Sequence, residues 1–183
     1  MNGSRPTRWG PCVARLVGAC PLEEINPRRS MIDPAQLSCL SKNIYFEAAV
    51  ESTAGKLAVA QVTMNRVRSS RYPDSICEVV YERRHHASGH PKRDQCQFSW
   101  YCDGRGDEPK ETPAWRDSQA IAEYVIRTPS LIDITDGSTH YHADYINAPR
   151  WAKKKKRLVK IDTHIFYKKT KLPKSKIYKG KKI

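Results

Sequence analysis

The stretch LSCLSKNIYFEAAVESTAGKLAVAQVTMNRV, residues 37–67, decides the fold of this chain. Its first half repeats apolar residues at the helical period, with Glu47 beside them and Glu51 one turn later. Residues 52–55 interrupt this pattern, and residues 57–67 are apolar nearly all round, which is typical of a buried helix. The stretch therefore predicts two packed helices, the first of which carries a pair of glutamates.

Glu47 is the candidate catalytic residue. It lies on a mostly apolar stripe, where loss of solvation favours the neutral carboxyl and raises its pKa. A carboxylic acid that is still protonated near neutral pH suits general-acid cleavage of a glycosidic bond. A solvated or cation-paired glutamate is the alternative. At this spacing Glu51 is expected to titrate together with Glu47 and to modulate it, which favours one acid/base over a two-carboxylate mechanism.

Three blocks of sequence, in order, resemble the bacterial and bacteriophage cell-wall hydrolase family named for the spore cortex-lytic enzymes. The blocks are residues 43–51 with 55–62 and 65–67, residues 96–100 with 102–104, and residues 137–145 with Pro149, Trp151 and 164–167. The resemblance covers residues 40–167. The family usually has Glu-Ala-Arg-Gly-Glu where this chain has Glu47-Ala48-Ala49-Val50-Glu51, so both glutamates are kept and the arginine is not.

The resemblance implies a lysozyme-like fold and cleavage of the MurNAc–GlcNAc glycan strand of peptidoglycan, as a lytic transglycosylase in which Glu47 matches the family's catalytic glutamate. In that chemistry one carboxyl protonates the leaving oxygen and then helps the 6-hydroxyl of the muramic sugar to close a 1,6-anhydro ring. No carboxylate nucleophile is needed, which agrees with the spacing of Glu47 and Glu51.

Residues 97–101 are short and aromatic, and they read as a strand-like segment lining a cleft. Gln97 and Ser99 would share one face and Phe98 the other, which suits an amino-sugar subsite. An aromatic core strand is the alternative on pattern alone, and the family resemblance favours binding. His140 and Tyr141 are expected to line the cleft opposite Glu47, where they would contact substrate or steady the acid.

We expect no metal and no cofactor. His140 and His142 would point the same way on a strand, a spacing that can chelate zinc, but no HExxH or paired CxxC motif accompanies them.

The predicted fold class is α+β and mainly helical: a lysozyme-like single domain with a small β-element, an extended N-terminal arm and a basic C-terminal tail. The expected divisions are a Pro-rich arm over 1–36, the catalytic domain over 37–167 and a Lys-rich tail over 168–183. A further helix is predicted over 113–127, a polar loop over 82–94, and strands near 139–145 and 157–167.

The net charge of +14 is concentrated at the C-terminus. Residues 150–183 hold 15 Lys and Arg against one Asp, whereas residues 1–149 are balanced. A solvated run, attraction to an anionic wall or membrane surface, and contact with acidic virion proteins all fit this tail. Its few aromatic residues disfavour nucleic acid as a partner.

The six cysteines, Cys12, Cys20, Cys39, Cys77, Cys96 and Cys102, indicate disulfides if the protein works outside a reducing cytosol. Cys96 and Cys102 could close the loop of the second block, Cys12 and Cys20 could close the arm, and free buried thiols are an equal reading for the others. No signal peptide or membrane span is visible.

The sequence therefore predicts an enzyme made in a host cytoplasm that acts in the cell wall or periplasm, as a free bacteriophage lysin or packaged in the virion. Two other functions compete with a peptidoglycan-cleaving glycosidase. One is a structural virion or tail protein that uses its lysozyme-like domain for assembly. The other is a zinc N-acetylmuramoyl-L-alanine amidase.

Overall fold

A computed structural model describes residues 32–85, 87–88 and 91–169 of the protein. The expected Pro-rich arm and the Lys-rich tail lie outside these residues, apart from 32–36 and 168–169. In chain order the elements are α1 (Pro34–Ala48), α2 (Thr53–Val67), α3 (Ile76–Val80), β1 (Arg83–His85), β2 (Pro91–Cys96), a 3₁₀ helix (Ser99–Cys102), α4 (Pro113–Arg127), β3 (His140–Ala143), a second 3₁₀ helix (Ala152–Lys154), β4 (Lys155–Ile161) and β5 (His164–Lys169).

Helix α1 begins three residues earlier than the sequence pattern indicates. The Asp33 side chain accepts a hydrogen bond from the Ala35 amide, and Pro34 occupies the first turn, where its missing N–H costs nothing. The helix ends at Ala48, and Glu51 lies at a bend beyond it. The predicted helical spacing between Glu47 and Glu51 is therefore wrong, because the helix ends between them.

Helix α2 is the centre of the fold, as its composition predicts. Ser52 caps its first turn by accepting from the Gly55 amide. Gly55 is required by close approach, because a Cβ there would lie 2.4 Å from Oδ2 of Asp162 and 2.7 Å from Cβ of Glu51. Four small apolar residues of α2 are fully buried: Ala58, Val59, Ala60 and Val62.

Polar side chains of α2 hold the segment that leads into β3. Gln61 donates to the Ile132 carbonyl and accepts from the Ile134 amide. Asn65 donates to Asp133, Thr135 and the Ser138 carbonyl at 2.8–3.3 Å. These bonds satisfy polar groups on a helix that is otherwise surrounded by apolar contacts, and they fix the approach to the strand.

One apolar core joins all four helices. Leu40 and Ile44 of α1, Val79 and Val80 of α3, and Val125 of α4 pack together with Phe98 and Trp100. The buried Asn43 side chain accepts from the Trp100 indole and donates to Thr63, which ties α1 to the 3₁₀ helix and to α2. A disulfide between Cys39 and Cys77 joins α1 to α3.

Strands β3, β5 and β4 form an antiparallel sheet in that order. The β4–β5 turn contains Asp162 at φ +47°, and its carboxylate accepts from the amide and hydroxyl of Ser52 at the start of α2. Phe166 of β5 is buried against Ala58 and Val62 of α2. The sheet therefore packs on α2, which also contributes to the apolar core of the four helices.

Two local predictions are wrong. The segment 82–94 contains the paired strands β1 and β2 rather than a polar loop alone. The segment 97–101, expected to be strand-like, leads into a 3₁₀ helix. The Cys96–Cys102 disulfide, which the sequence did suggest, accounts for this, since its Cα atoms lie 6.2 Å apart where an extended run of six residues would span about 20 Å.

The helices over 34–48, 53–67 and 113–127 and the small sheet near the end match the expected mainly helical α+β fold. Within the described residues, no helix is both long and apolar enough to span a bilayer.

Candidate active site

A groove of about 520 Å³ runs between the end of α1, the 97–103 segment and β3. Glu47 and Phe46 form one wall, and Tyr141 and His142 come from the sheet. The remaining lining residues are Arg66, Cys96, Gln97, Phe98, Ser99, Trp100, Asp103, Ala143, Tyr145, Ile146, Pro149, Trp151 and His164. Aromatic faces beside amide and hydroxyl groups are the surface that a sugar chain requires.

Glu47 lies at the last turn of α1 and is partly buried in this groove. Burial raises the pKa of its carboxyl above the usual 4.5, because the charged form loses solvation. The Tyr141 hydroxyl donates to Oε2 of Glu47 at 2.9 Å, and Arg66 acts through its charge; both oppose the rise. The carboxyl is therefore suited to hold and then release a proton.

Tyr141 is the direct partner of Glu47. It occupies the second position of β3, and its ring contacts His164 and Phe166 of β5 at centroid separations of 5.0 and 5.6 Å. Burial and the neighbouring Glu47 carboxylate raise the pKa of Tyr141 well above 10. Tyr141 therefore remains a neutral hydrogen-bond donor over the whole working range of pH.

Arg66 is a buried cation that the sequence analysis did not single out. Its Nε donates to the Thr139 carbonyl at 2.9 Å, and its guanidinium carbon lies 4.7 Å from the centre of the Phe98 ring. Nη1 is buried and has no hydrogen-bond partner among the described residues. The sequence does contain a signal for Arg66. It is the one arginine in a helix whose composition is typical of a buried helix, and a buried charge needs a partner.

The second sequence block contributes to the groove as one segment. Gln97 and Ser99 are exposed along it, and Phe98 is buried with 2% of its surface accessible. Trp100 stacks on Phe46 at 4.7 Å between ring centres, next to Glu47 in the chain. The structure thus brings Gln97, Phe98 and Ser99 into the same groove as Glu47, through a 3₁₀ helix instead of a strand.

Glu51 does not line the groove. Its carboxylate accepts hydrogen bonds from the amide and hydroxyl of Thr163 in the β4–β5 turn. The expectation that it lies beside Glu47 and modulates it is not met, because the chain leaves the helix at Ala48 and carries Glu51 to the sheet. Glu51 instead fastens that turn to the start of α2.

His140 also lies outside the groove lining. Its ring contacts Thr139 and Tyr72, and burial, together with the charges of Lys155, Arg66 and Lys169, lowers the pKa of His140 to about 3. The lining that β3 contributes consists of Tyr141, His142 and Ala143, so His140 does not line the cleft together with Tyr141 as expected.

His142 and His164 line the groove, and neither was singled out as a site residue. The His142 Nε2 pairs with the Tyr167 hydroxyl at 3.0 Å. The buried Nδ1 of His164 has no hydrogen-bond partner among the described residues. Over residues 32–85, 87–88 and 91–169, no three His, Cys, Asp or Glu side chains cluster as metal ligands would.

The sequence profile of the cell wall hydrolase family matches residues 50–167. The match covers more than half of the 183 residues, and the chain belongs to this family. The matched region begins three residues after Glu47 and does not include it. The role proposed for Glu47 therefore depends on the geometry of the groove. No curated protein sequence is significantly similar to the chain.

Solved structures similar to this one include two catalytic domains from Bacillus. The SleB catalytic domain of Bacillus cereus has a TM-score of 0.56 and 22% identity, with 76% of this chain and 94% of that one covered. The catalytic domain of the germination-specific lytic transglycosylase SleB of Bacillus anthracis has a TM-score of 0.57 and 23% identity, with 75% and 97% covered. At these identities the likeness establishes the fold, which is the fold predicted from the sequence.

Proposed function

We propose that this cell wall hydrolase cleaves the glycan strand of peptidoglycan as a lytic transglycosylase, with Glu47 as its single general acid and base. The observation that carries the proposal is the position of Glu47: it lies in a groove lined by aromatic, amide and hydroxyl side chains, with a pKa raised by burial, and it accepts a hydrogen bond from Tyr141. The Bacillus anthracis structure, described as a lytic transglycosylase, supports it.

In the first step the Glu47 carboxyl gives its proton to the oxygen between MurNAc and GlcNAc, and the bond from that oxygen to C1 of MurNAc breaks. In the second step the Glu47 carboxylate takes the proton of the MurNAc 6-hydroxyl while O6 bonds to C1. The proton is returned to Glu47 and no water is consumed. Tyr141 steadies the carboxylate between the steps, because its hydroxyl donates to Oε2.

Groups along the groove are placed to hold the substrate. Gln97 and Ser99 offer amide and hydroxyl groups, and Trp151 and Tyr145 offer aromatic surface. Nη1 of Arg66 and Nδ1 of His164 belong to groove-lining residues, are buried and have no hydrogen-bond partner among the described residues.

Glu47→Gln tests the chemistry while keeping the side-chain shape and the acceptor for Tyr141. The wild-type protein should release 1,6-anhydromuropeptides from purified peptidoglycan, and Glu47→Gln should reduce the rate by about a hundredfold or more. Mass spectrometry reads the outcome directly, because hydrolysis adds one water and creates a new reducing end. Reducing-end products would overturn the transglycosylase proposal, and an active Glu47→Gln protein would overturn the assignment of Glu47.

Two alternatives make different predictions in the same assay. A structural virion or tail protein would release no products, and a zinc amidase would release peptides from intact glycan strands and lose activity with a chelator. The described residues contain no group of three side chains that could hold a metal ion, so none of them favours the amidase. Delivery as a free bacteriophage lysin or in a virion, from a host cytoplasm to the cell wall, stays a prediction of the sequence.

A further inference from the structure

A second pocket of about 450 Å³ lies outside the candidate active site and shares no lining residue with the groove. We refer to it as the cationic pocket. It is lined by Asn65, Ser69, Arg71, Gly137, Thr139, Lys168 and Lys169, from α2 and the segment after it, the turn before β3, and the end of β5. The lining combines three cations with hydroxyl and amide groups and contains no large apolar side chain.

The pairing of β4 with β5 concentrates further positive charge at this place. Lys155 stands opposite Lys169, and Lys156 stands opposite Lys168. Like charges directly opposite each other destabilise a strand pair. Burial and the charges of Lys169, Arg66 and Arg71 lower the pKa of Lys155, as expected where positive charges crowd one another. Local features that oppose stability are typical of functional sites.

No carboxylate among the described residues forms an ion pair with this cluster. Arg71 and Lys169 make no side-chain hydrogen bond or ion pair to any described residue, and Lys168 donates only to the Asp136 carbonyl, at 3.3 Å. Two acids lie nearby. The oxygens of Asp133 are occupied by Asn65, Thr135 and Gly137, and the Asp136 carboxylate forms no ion pair with these cations. The positive charge of the pocket is therefore available to a ligand.

Glycine at position 137 shapes the pocket. Gly137 has φ +72°, and a Cβ there would lie 2.7 Å from the Lys168 ammonium nitrogen. The absence of a side chain lets Lys168 lie against the turn, which holds its ammonium group at the pocket wall.

We propose that the cationic pocket binds the phosphate groups of an anionic cell-wall polymer and so holds the enzyme on the wall while the glycan strand occupies the separate groove. Each phosphodiester carries one negative charge, and its two non-bridging oxygens accept several charge-assisted hydrogen bonds. A polymer presents such groups one after another, so successive phosphates can meet the several cations of the pocket, whereas a single carboxylate is satisfied by one arginine fork. The inference rests on the cell-wall setting of the proposed function, in which a phosphodiester polymer carried by the wall would lie within reach of the bound enzyme.

The lining disfavours two other phosphate-bearing partners. A membrane surface would be met by apolar side chains that insert beside the cations, and none lines the pocket. Single-stranded nucleic acid would be met by aromatic rings for base stacking, and the lining contains none.

The test uses the full-length Glu47→Gln protein, so that binding is measured without digestion, and a short glycerol phosphate oligomer as the probe. Amide chemical shifts should change at Ser69, Gly137, Thr139, Lys168 and Lys169. Inorganic phosphate should shift the same amides more weakly. Changes confined to the groove or to residues 170–183 would overturn the proposal.

A matched pair of variants separates the pocket from general charge. Arg71→Gln with Lys169→Gln should weaken binding at least about tenfold, since each removes a charge-assisted contact. Arg84→Gln with Lys110→Gln removes the same charge from exposed positions on β1 and before α4, and should leave the dissociation constant within about twofold. Equal losses in both variants would refute a defined site, as would tighter binding to anionic vesicles or to a single-stranded oligonucleotide.

The inference depends on the cell-wall setting and not on the cleavage chemistry. In an otherwise wild-type protein, Arg71→Gln with Lys169→Gln should digest walls that carry the anionic polymer more slowly and digest soluble glycan fragments at the wild-type rate. Loss of both activities would indicate a damaged fold and would contradict the proposal. Failure of the Glu47 chemistry would leave the phosphate-binding result unchanged.

Discussion

Loss of the Cys39–Cys77 disulfide is expected to cost more stability than loss of the Cys96–Cys102 disulfide. The first joins α1 to α3 across a sequence separation of 38 residues, and the second closes only 6. A crosslink restricts the unfolded chain more when its loop is longer, and these separations correspond to about 4 and about 2 kcal/mol. Replacing each cysteine pair with alanines should therefore lower the unfolding free energy by amounts that differ by about 2 kcal/mol.

Urea denaturation followed by far-UV circular dichroism measures both losses, and the slope of each transition reports whether the unfolded state has expanded. Peptide mapping of the non-reduced wild-type protein should first verify the pairing, because Cys12 and Cys20 lie outside the described residues. If the Cys96–Cys102 variant loses as much stability as the Cys39–Cys77 variant, the loop-entropy argument is wrong. The result also matters for function, because α1 carries Glu47 and a reducing cytosol would leave this helix without its crosslink.

Two further predictions concern Glu47. Tyr141→Phe removes the donor that lowers the pKa of Glu47, so the general acid stays protonated to higher pH. The alkaline limb of the pH–rate profile should therefore move to higher pH. Tyr145 lines the groove without bonding Glu47, so Tyr145→Phe should leave that limb in place. Glu47→Gln should stabilise the fold at neutral pH, where the raised pKa makes the ionised carboxylate costly, and should bring no gain well below pH 4.5, where the wild-type carboxyl is protonated in both states. Thermal unfolding of both proteins at the two pH values tests the second prediction, and an equal gain at each would refute it.

The parts of the fold that periodicity specifies were predictable. Helices α1, α2 and α4 follow from apolar spacing and from a proline suited to a first turn. Alternation over 157–167 predicts the small β-element near the end, but not the turn that divides it into β4 and β5. The groove contacts of Gln97 and Tyr141 with the segment around Glu47 were expected from the family resemblance. Periodicity within one segment does not tell which distant segments lie beside it. The resemblance of three ordered blocks to one family did indicate that these segments share a groove.

The errors occur where tertiary contacts override local pattern. The helical period continues through Glu51, but α1 ends at Ala48 and the Glu51 carboxylate is drawn to Thr163, far along the chain. The alternation of residues 97–101 suggests a strand, but a disulfide across six residues requires a tight turn. Neither the partner of Glu51 nor the path of the chain can be read from the residues on either side of these positions.

The groove itself contains a test that separates transglycosylation from hydrolysis. Among the described residues that line it, only Glu47 and Asp103 carry carboxyl groups. Asp103 follows the 3₁₀ helix, keeps 33% of its side chain exposed, accepts from the Arg105 amide at 2.8 Å and lies 4.0 Å from Nε of Arg105. A two-carboxylate glycosidase needs its second group to act as nucleophile or to activate water, whereas ring closure by the 6-hydroxyl needs neither.

Asp103→Asn is therefore expected to leave the yield of 1,6-anhydro products nearly unchanged, with a change in rate of about threefold or less from altered substrate contacts. The measurement is the ratio of anhydro to reducing-end products by mass spectrometry, with Glu47→Gln as the inactive reference. If Asp103→Asn abolishes cleavage and the wild-type products carry reducing ends, the protein uses Glu47 and Asp103 together as a hydrolase. That outcome would keep Glu47 as the acid and refute the single-carboxyl mechanism, because Asp103 would then be the group that directs water to the sugar.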